Sequence, residues 1–231
     1  SYDAVVLGAG PAGLKAAAEI GARGKKVVLV DPVASVHGNP TGAHSKCLRE
    51  GVIEGARTWG EVKDVMARAA DNAEYKAARL THTFQVKIVQ GYGSIRDETT
   101  VVIKDIDGNE KDIKTDAIVI ATGSKANRFP PVDFSMPSVY DSDTIRDIDY
   151  IPSRLVVQGA GIVSVEYALI FAKLGSEVII VDAFSAWLPM CDTSLQETIR
   201  DELDANGVEV LFNRPFKSVT LAEDSAAEFP H

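Results

Sequence analysis

Two short glycine-rich segments hold the residues whose types and spacing most clearly suggest chemistry. In the first, Gly8, Gly10 and Gly13 follow the pattern Gly-x-Gly-x-x-Gly, and Asp31 comes 18 residues after Gly13. Glycines at that spacing allow a tight turn after a strand, the approach of a pyrophosphate to bare backbone, and close packing of a helix on the strand. The helix N-terminus adds unpaired N–H groups and a positive dipole. An acid ending the next strand is placed to accept hydrogen bonds from the ribose of an adenosine. The second segment repeats the pattern with one change: Gly159 and Gly161 are kept, Ser164 stands in the third position, and Asp182 is the acid. Serine is still small enough for close helix–strand packing. A carboxylate there favours free ribose hydroxyls over a 2′-phosphate, so NAD(H) is expected ahead of NADP(H). The competing reading of either loop is a packed but empty fold whose glycines serve geometry alone.

Other chemistries find less support. Cys47 and Cys191 are the only cysteines, too few for a disulfide framework or a four-thiolate metal site, and no metal ligand set is expected. A single cysteine at a helix start, as Cys47 would be, is more often a small buried residue than a redox relay. Lys+Arg 24 against Asp+Glu 33 gives a net charge of −9 with no basic run, the wrong sign for neutralising phosphates along a nucleic acid. No apolar run reaches the roughly 18 residues that cross a bilayer.

The elements that must position the loops can be read along the chain. At about 150 residues per domain, 231 residues suggest one to two domains. A composition of 45% hydrophobic and 25% charged residues is that of a globular protein. Strands are expected at Tyr2–Leu7 and Val27–Asp31 with a helix over Leu14–Ala22 between them, a βαβ unit ended at its helix by Gly24. Ser45 to about Thr83 reads as helical, with Trp59, Val62, Val65 and Met66 on one apolar stripe. Strands follow at Val86–Val89 and Thr100–Lys104, a hairpin turn at Asp107-Gly108-Asn109, and a fully buried strand at Asp116–Ile120. Residues 124–153 are linker-like. The opening pattern then recurs: strand Leu155–Gln158, helix Val165–Leu174, strand Glu177–Val181, and a further αβ step over Ser194–Leu211. The expected fold class is α/β, two Rossmann-like nucleotide-binding domains in series with mostly parallel sheets, residues 1–150 and 151–231, the second incomplete.

In order, Gly8-Ala9-Gly10-Pro11-Ala12-Gly13, Ser45-Lys46, Ala121-Thr122-Gly123, and Gly159-Ala160-Gly161 with Glu166-Tyr167-Ala168 resemble the two-dinucleotide-binding flavoproteins, the pyridine nucleotide-disulfide oxidoreductase family. Val139–Asp143 and the stretch after Gly159 look closest to its soluble pyridine nucleotide transhydrogenase branch and its dihydrolipoamide dehydrogenase-like members. The resemblance implies FAD in the first domain and a nicotinamide nucleotide in the second, with hydride passing to the flavin. It assigns Gly8, Gly10, Gly13 and Asp31 to the FAD adenosine and pyrophosphate. Ala121, Thr122 and Gly123 would approach the same cofactor, and Gly159, Gly161 and Asp182 would serve the nicotinamide nucleotide. Lys46 and Glu166 match positions that pair beside the flavin and are the expected catalytic residues. Their plainer reading is a solvated lysine and an ordinary helix glutamate.

The chain departs from the family in two ways. Disulfide-reducing members carry two cysteines before the Ser-Lys, where this sequence has His37 and Gly42, so a dithiol relay is not expected. The family's C-terminal half, which makes the dimer and supplies a His–Glu pair, has no counterpart. Residue 1 is Ser rather than Met, and Leu221–His231 looks interrupted, which points to part of a longer parent. That parent is read as an NAD(P)H:flavin oxidoreductase of transhydrogenase type, a homodimer or part of a larger assembly, with the 231 residues alone not competent for turnover. The alternative is an inactive relative kept as a structural subunit. The acidic balance fits cytosol, mitochondrial matrix or plastid stroma equally.

Overall fold

A computed structural model describes residues 1–33, 41–130, 132–186, 188 and 191–220, without the side chains of residues 41–45 and 47. His37 and the 221–231 tail lie outside the described residues. The chain divides into two compact units, Ser1–Glu50 with Lys63–Ser124, and Gly51–Val62 with Lys125–His231.

The first unit is built on β1 (Tyr2–Leu7), α1 (Pro11–Ala22), β2 (Val27–Asp31), most of α2 (Thr41–Ile53) and of α3 (Trp59–Thr83), β3 (Lys87–Gln90), β4 (Tyr92–Asp97), β5 (Thr100–Lys104) and β6 (Glu110–Ile120), while the end of α2 and the start of α3, Trp59 included, belong to the second unit. Its six strands run in the order β3-β2-β1-β6-β5-β4. β1 pairs in parallel with β2 and β6, and β2 with β3, whereas β4, β5 and the start of β6 form an antiparallel meander. Alternate residues of β1 and β2 are buried on opposite faces. Ala4, Val6, Val27 and Leu29 pack with Leu14 and Ala17 of α1, while Val5, Leu7, Val28 and Val30 pack with Val101, Ile103 and Ile113 of the meander. Burial on both faces explains why these strands read as unbroken apolar runs. Each such side chain is worth about 1.5–3 kcal/mol on leaving water, so the sheet centre is the rigid base beneath the first glycine loop.

The second unit carries β7 (Arg154–Gln158), α4 (Ile162–Lys173), β8 (Glu177–Val181), α5 (Thr193–Ala205) and β9 (Glu209–Leu211), with the three strands parallel in the order β7-β8-β9. Phe171 of α4 stacks on Trp59, ring centroids 5.9 Å apart, and the Trp59 indole N–H donates to the Ile148 carbonyl. The described residues of 125–153 form no strand but are held by hydrogen bonds. Asp141 accepts from Asp143 N, Thr144 N and the Thr144 hydroxyl through Oδ1, and from Arg128 Nε at 2.7 Å through Oδ2. Asp143 accepts from Ala126 N at 2.9 Å, and Tyr167 of α4 donates to the Ser142 carbonyl.

The structure corrects three expectations. The helix expected over 45–83 is two helices: Gly55 sits at φ +97°, and α3 starts with a capping box in which Glu61 accepts from Arg57 N and Thr58 N and donates its own N–H to the Thr58 hydroxyl. The strand expected at Asp116–Ile120 runs from Glu110 and is not fully buried, with Ile120 67% exposed. β5 pairs with β6 over Glu110–Lys114 alone, so the C-terminal half of β6 has a strand neighbour only on its β1 side among the described residues. Strand β4 was not expected; Tyr-Gly-Ser-Ile-Arg-Asp is polar, as suits a sheet edge, and lacks apolar alternation.

Candidate functional site

The first loop joins β1 to α1 at the C-terminal edge of the sheet. Gly8 N–H continues the ladder to the Val30 carbonyl at 2.8 Å, and Ala121 N–H, just past β6, does the same to Leu7 at 2.8 Å. The three strand ends therefore meet where the loop begins. Gly8 has φ +100°, and a Cβ there would collide with the Ala121 carbonyl and crowd Thr122 Cα. A Cβ at Gly13 would overlap the Gly8 carbonyl oxygen. At Gly10, in contrast, a Cβ would meet nothing within 4 Å, and the backbone is extended at φ −65°. So two glycines are required by the fold itself, and the middle one leaves space in front of the α1 N-terminus. Pro11 opens that helix at the position where a missing N–H costs nothing. The residues present fit a pyrophosphate-bearing cofactor such as FAD.

Asp31 does more than end β2. Its Oδ2 accepts from Ala9 N–H at 2.7 Å and its Oδ1 from Val33 N–H at 2.9 Å, so the carboxylate pins the glycine loop. The second unit repeats this arrangement. Asp182 Oδ2 accepts from Ala160 N–H at 2.5 Å and Oδ1 from Phe184 N–H at 2.7 Å. Gly159 N–H reaches the Val181 carbonyl at 2.7 Å, and Gly161 caps α4 with nothing within 4 Å of a Cβ. Gly159 adopts φ +87°, and its nearest neighbour would be the Ser164 hydroxyl at 4.0 Å, so this loop is looser than the first. The latching role of both acids was not foreseen from sequence. Its signal is the spacing of 22 residues between Ala9 and Asp31, and again between Ala160 and Asp182.

The structure thus brings Gly8, Gly13, Ala121 and Thr122 together, sets Asp31 on the same loop, and gathers Gly159, Ala160 and Asp182 in the second unit. Gly123 follows at φ +70°. Lys46 is exposed on α2 in the first unit, and Glu166 is half-buried on α4 in the second. Beside Glu166, burial pushes the Tyr167 hydroxyl up to about 12, with Glu166 and Asp143 adding to the shift. Asp141 is held below the ordinary carboxylate value: burial alone would raise it, but the Arg128 guanidinium, the Thr144 hydroxyl and two backbone N–H groups outweigh burial. Cys191 is a half-buried free thiol. Among the described residues, no cluster of His, Cys, Asp or Glu is placed to hold a metal ion, and no helix is long and apolar enough to cross a membrane.

The sequence matches the family described as pyridine nucleotide-disulphide oxidoreductase over residues 2–228. Curated relatives include the soluble pyridine nucleotide transhydrogenases of Pseudomonas fluorescens and Pseudomonas putida, each 34% identical over 95% of this chain and 51% of the relative. The chain therefore spans about half the length of these relatives. Among solved structures it is similar to the HOCl-induced flavoprotein disulfide reductase RclA of Escherichia coli in its Cu(II) complex, with a TM-score of 0.84 at 23% identity, covering 97% of this chain and 52% of that one. That likeness carries the fold: two α/β units with parallel sheets.

Proposed function

The chain belongs to the pyridine nucleotide-disulphide oxidoreductase family, and on that premise we propose that it forms the nucleotide-binding half of an FAD-dependent pyridine nucleotide oxidoreductase of transhydrogenase type. The observation that carries this reading is the repeated latch, a strand-end aspartate holding an open glycine loop at a helix N-terminus once in each unit. We assign FAD to residues 1–150 and the nicotinamide nucleotide to residues 151–231. Gly10 gives the FAD pyrophosphate its approach, Gly8 and Gly13 set the loop, Asp31 faces the ribose, and Ala121, Thr122 and Gly123 border the same cofactor. Gly159, Gly161 and Asp182 do the equivalent for the nicotinamide nucleotide, with NAD(H) preferred because Asp182 repels a 2′-phosphate. When bound, flavin supplies two-electron hydride chemistry. Lys46 and Glu166 are the proposed charged pair beside it. With His37 and Gly42 at the places of the family's cysteines, the chain offers no dithiol there, and the reading has no thiol relay. A homodimer partner or a larger assembly completes the enzyme.

The test is a pair of substitutions in the full-length protein. A Cβ at Gly10 meets nothing within 4 Å, so Gly10→Val should fold normally, fill the open space and lose the flavin. Gly13→Ala drives a Cβ into the Gly8 carbonyl and should cost stability first. Flavin content per polypeptide and thermal unfolding separate the two. Undiminished flavin in Gly10→Val rejects the assignment of the first loop.

A further inference from the structure

One unit with one nicotinamide-type loop must serve both pyridine nucleotides in turn if the enzyme moves hydride between them, yet Asp182 is a like charge to the 2′-phosphate that distinguishes NADP(H). We propose that Arg214 supplies the countercharge, a specificity-determining residue that lets the Asp182 site accept a 2′-phosphate. The inference rests on the nucleotide-site reading of the second unit.

The backbone places Arg214 beside the acid. Past the end of the β8–β9 pairing, Asp182 N–H donates to the Leu211 carbonyl at 3.0 Å, Arg214 N–H donates to the Asp182 carbonyl at 2.8 Å, and Asn213 N–H donates to the Phe184 carbonyl at 3.0 Å. These three bonds fix residues 211–214 against 182–184, the segment that begins with the proposed ribose-facing carboxylate of Asp182. Asn213 makes the bend in left-handed conformation at φ +57°, a region asparagine enters more readily than most side chains. Arg214 follows directly and is exposed. Among the described residues its guanidinium enters no ion pair, unlike Arg128 and Arg154 in the same unit.

The acid is also restrained. Both carboxylate oxygens of Asp182 accept backbone N–H groups, from Ala160 and Phe184. The carboxylate is therefore held against the loop and its charge is partly offset. A guanidinium presents paired donors to phosphate oxygens in a planar fork, which a lysine ammonium matches only as a point charge. With its backbone bonded to that of Asp182, Arg214 supplies a countercharge in the neighbourhood of the fixed carboxylate, which offsets the repulsion a 2′-phosphate meets there.

The measurement is calorimetric binding of 2′,5′-ADP and 5′-AMP to the full-length protein, as wild type, Arg214→Gln and Arg214→Lys. Wild type should bind both ligands. Arg214→Gln should weaken 2′,5′-ADP about tenfold, the scale of one charge-assisted contact, and leave 5′-AMP unchanged. Arg214→Lys should recover part of the loss. Equal loss for both ligands would mark Arg214 as merely structural, and unchanged 2′,5′-ADP binding in Arg214→Gln would overturn the proposal outright. Wild type that binds 5′-AMP but not 2′,5′-ADP rejects the proposal while sparing the nucleotide site. Wild type that binds neither ligand rejects both.

Discussion

Asp31 and Asp182 each carry two jobs on one carboxylate. Each accepts two backbone N–H bonds from its own loop segment, and each is proposed to meet a ribose hydroxyl as well. Neutralising the acid therefore changes loop geometry as well as cofactor choice. Asp182→Asn keeps an acceptor oxygen for one of its N–H partners and loses the charge that disfavours a 2′-phosphate. It should narrow the preference for NADH over NADPH by about tenfold, roughly 1.4 kcal/mol. The ratio of kcat/KM values for the two nucleotides is the readout, and an unaltered ratio removes Asp182 from nucleotide selection. This loss of selectivity should come with weaker binding of both nucleotides, because the Ala160 or Phe184 latch is weakened in the same substitution.

The elements divide by how plainly their sequences announce them. The strands β1, β2 and β8 and the helices behind the glycine loops were legible, because unbroken apolar runs and loop spacing leave few alternatives. The α2–α3 break was missed although Thr58-x-x-Glu61 and Gly55 mark it, since the sequence reads as helical on either side. Strand β4 was missed for the opposite reason, an edge strand with polar residues having no stripe to see. Residues 124–153 read as linker, but the Asp141 network ties parts of this stretch together. The Asp141 side chain is only 7% exposed, and its pair with Arg128 makes its protonation a matter of stability. Because its folded pKa is depressed, the stabilisation is present above the ordinary value of 3.8 and drains away as pH falls through the lower folded value. Asp141→Asn should therefore cost about 1–3 kcal/mol near neutral pH, and the deficit should shrink in acid. Urea unfolding of both proteins at about pH 7 and about pH 3 measures it; an equal deficit at the two pH values contradicts a charge-based role.

At the scale of the whole molecule, two α/β units repeat one loop–acid device, and the chain corresponds to about half of the relatives it matches. The glycines, the acids and the family were legible because each is carried by local sequence. Lys46 and Glu166 were each matched only through separate motifs, and their pairing beside the flavin belongs to the proposal. Arg214 was silent: its meaning comes from backbone bonds between β9 and the end of β8, which no motif records. The central claim is a hydride path from nicotinamide to flavin built on this pair of loops. Its most direct test is the visible absorption spectrum of the purified full-length protein, recorded before and after anaerobic addition of NADH. The account predicts an oxidised-flavin spectrum that bleaches on addition. A folded protein that carries no flavin, or flavin that NADH leaves oxidised, would contradict it.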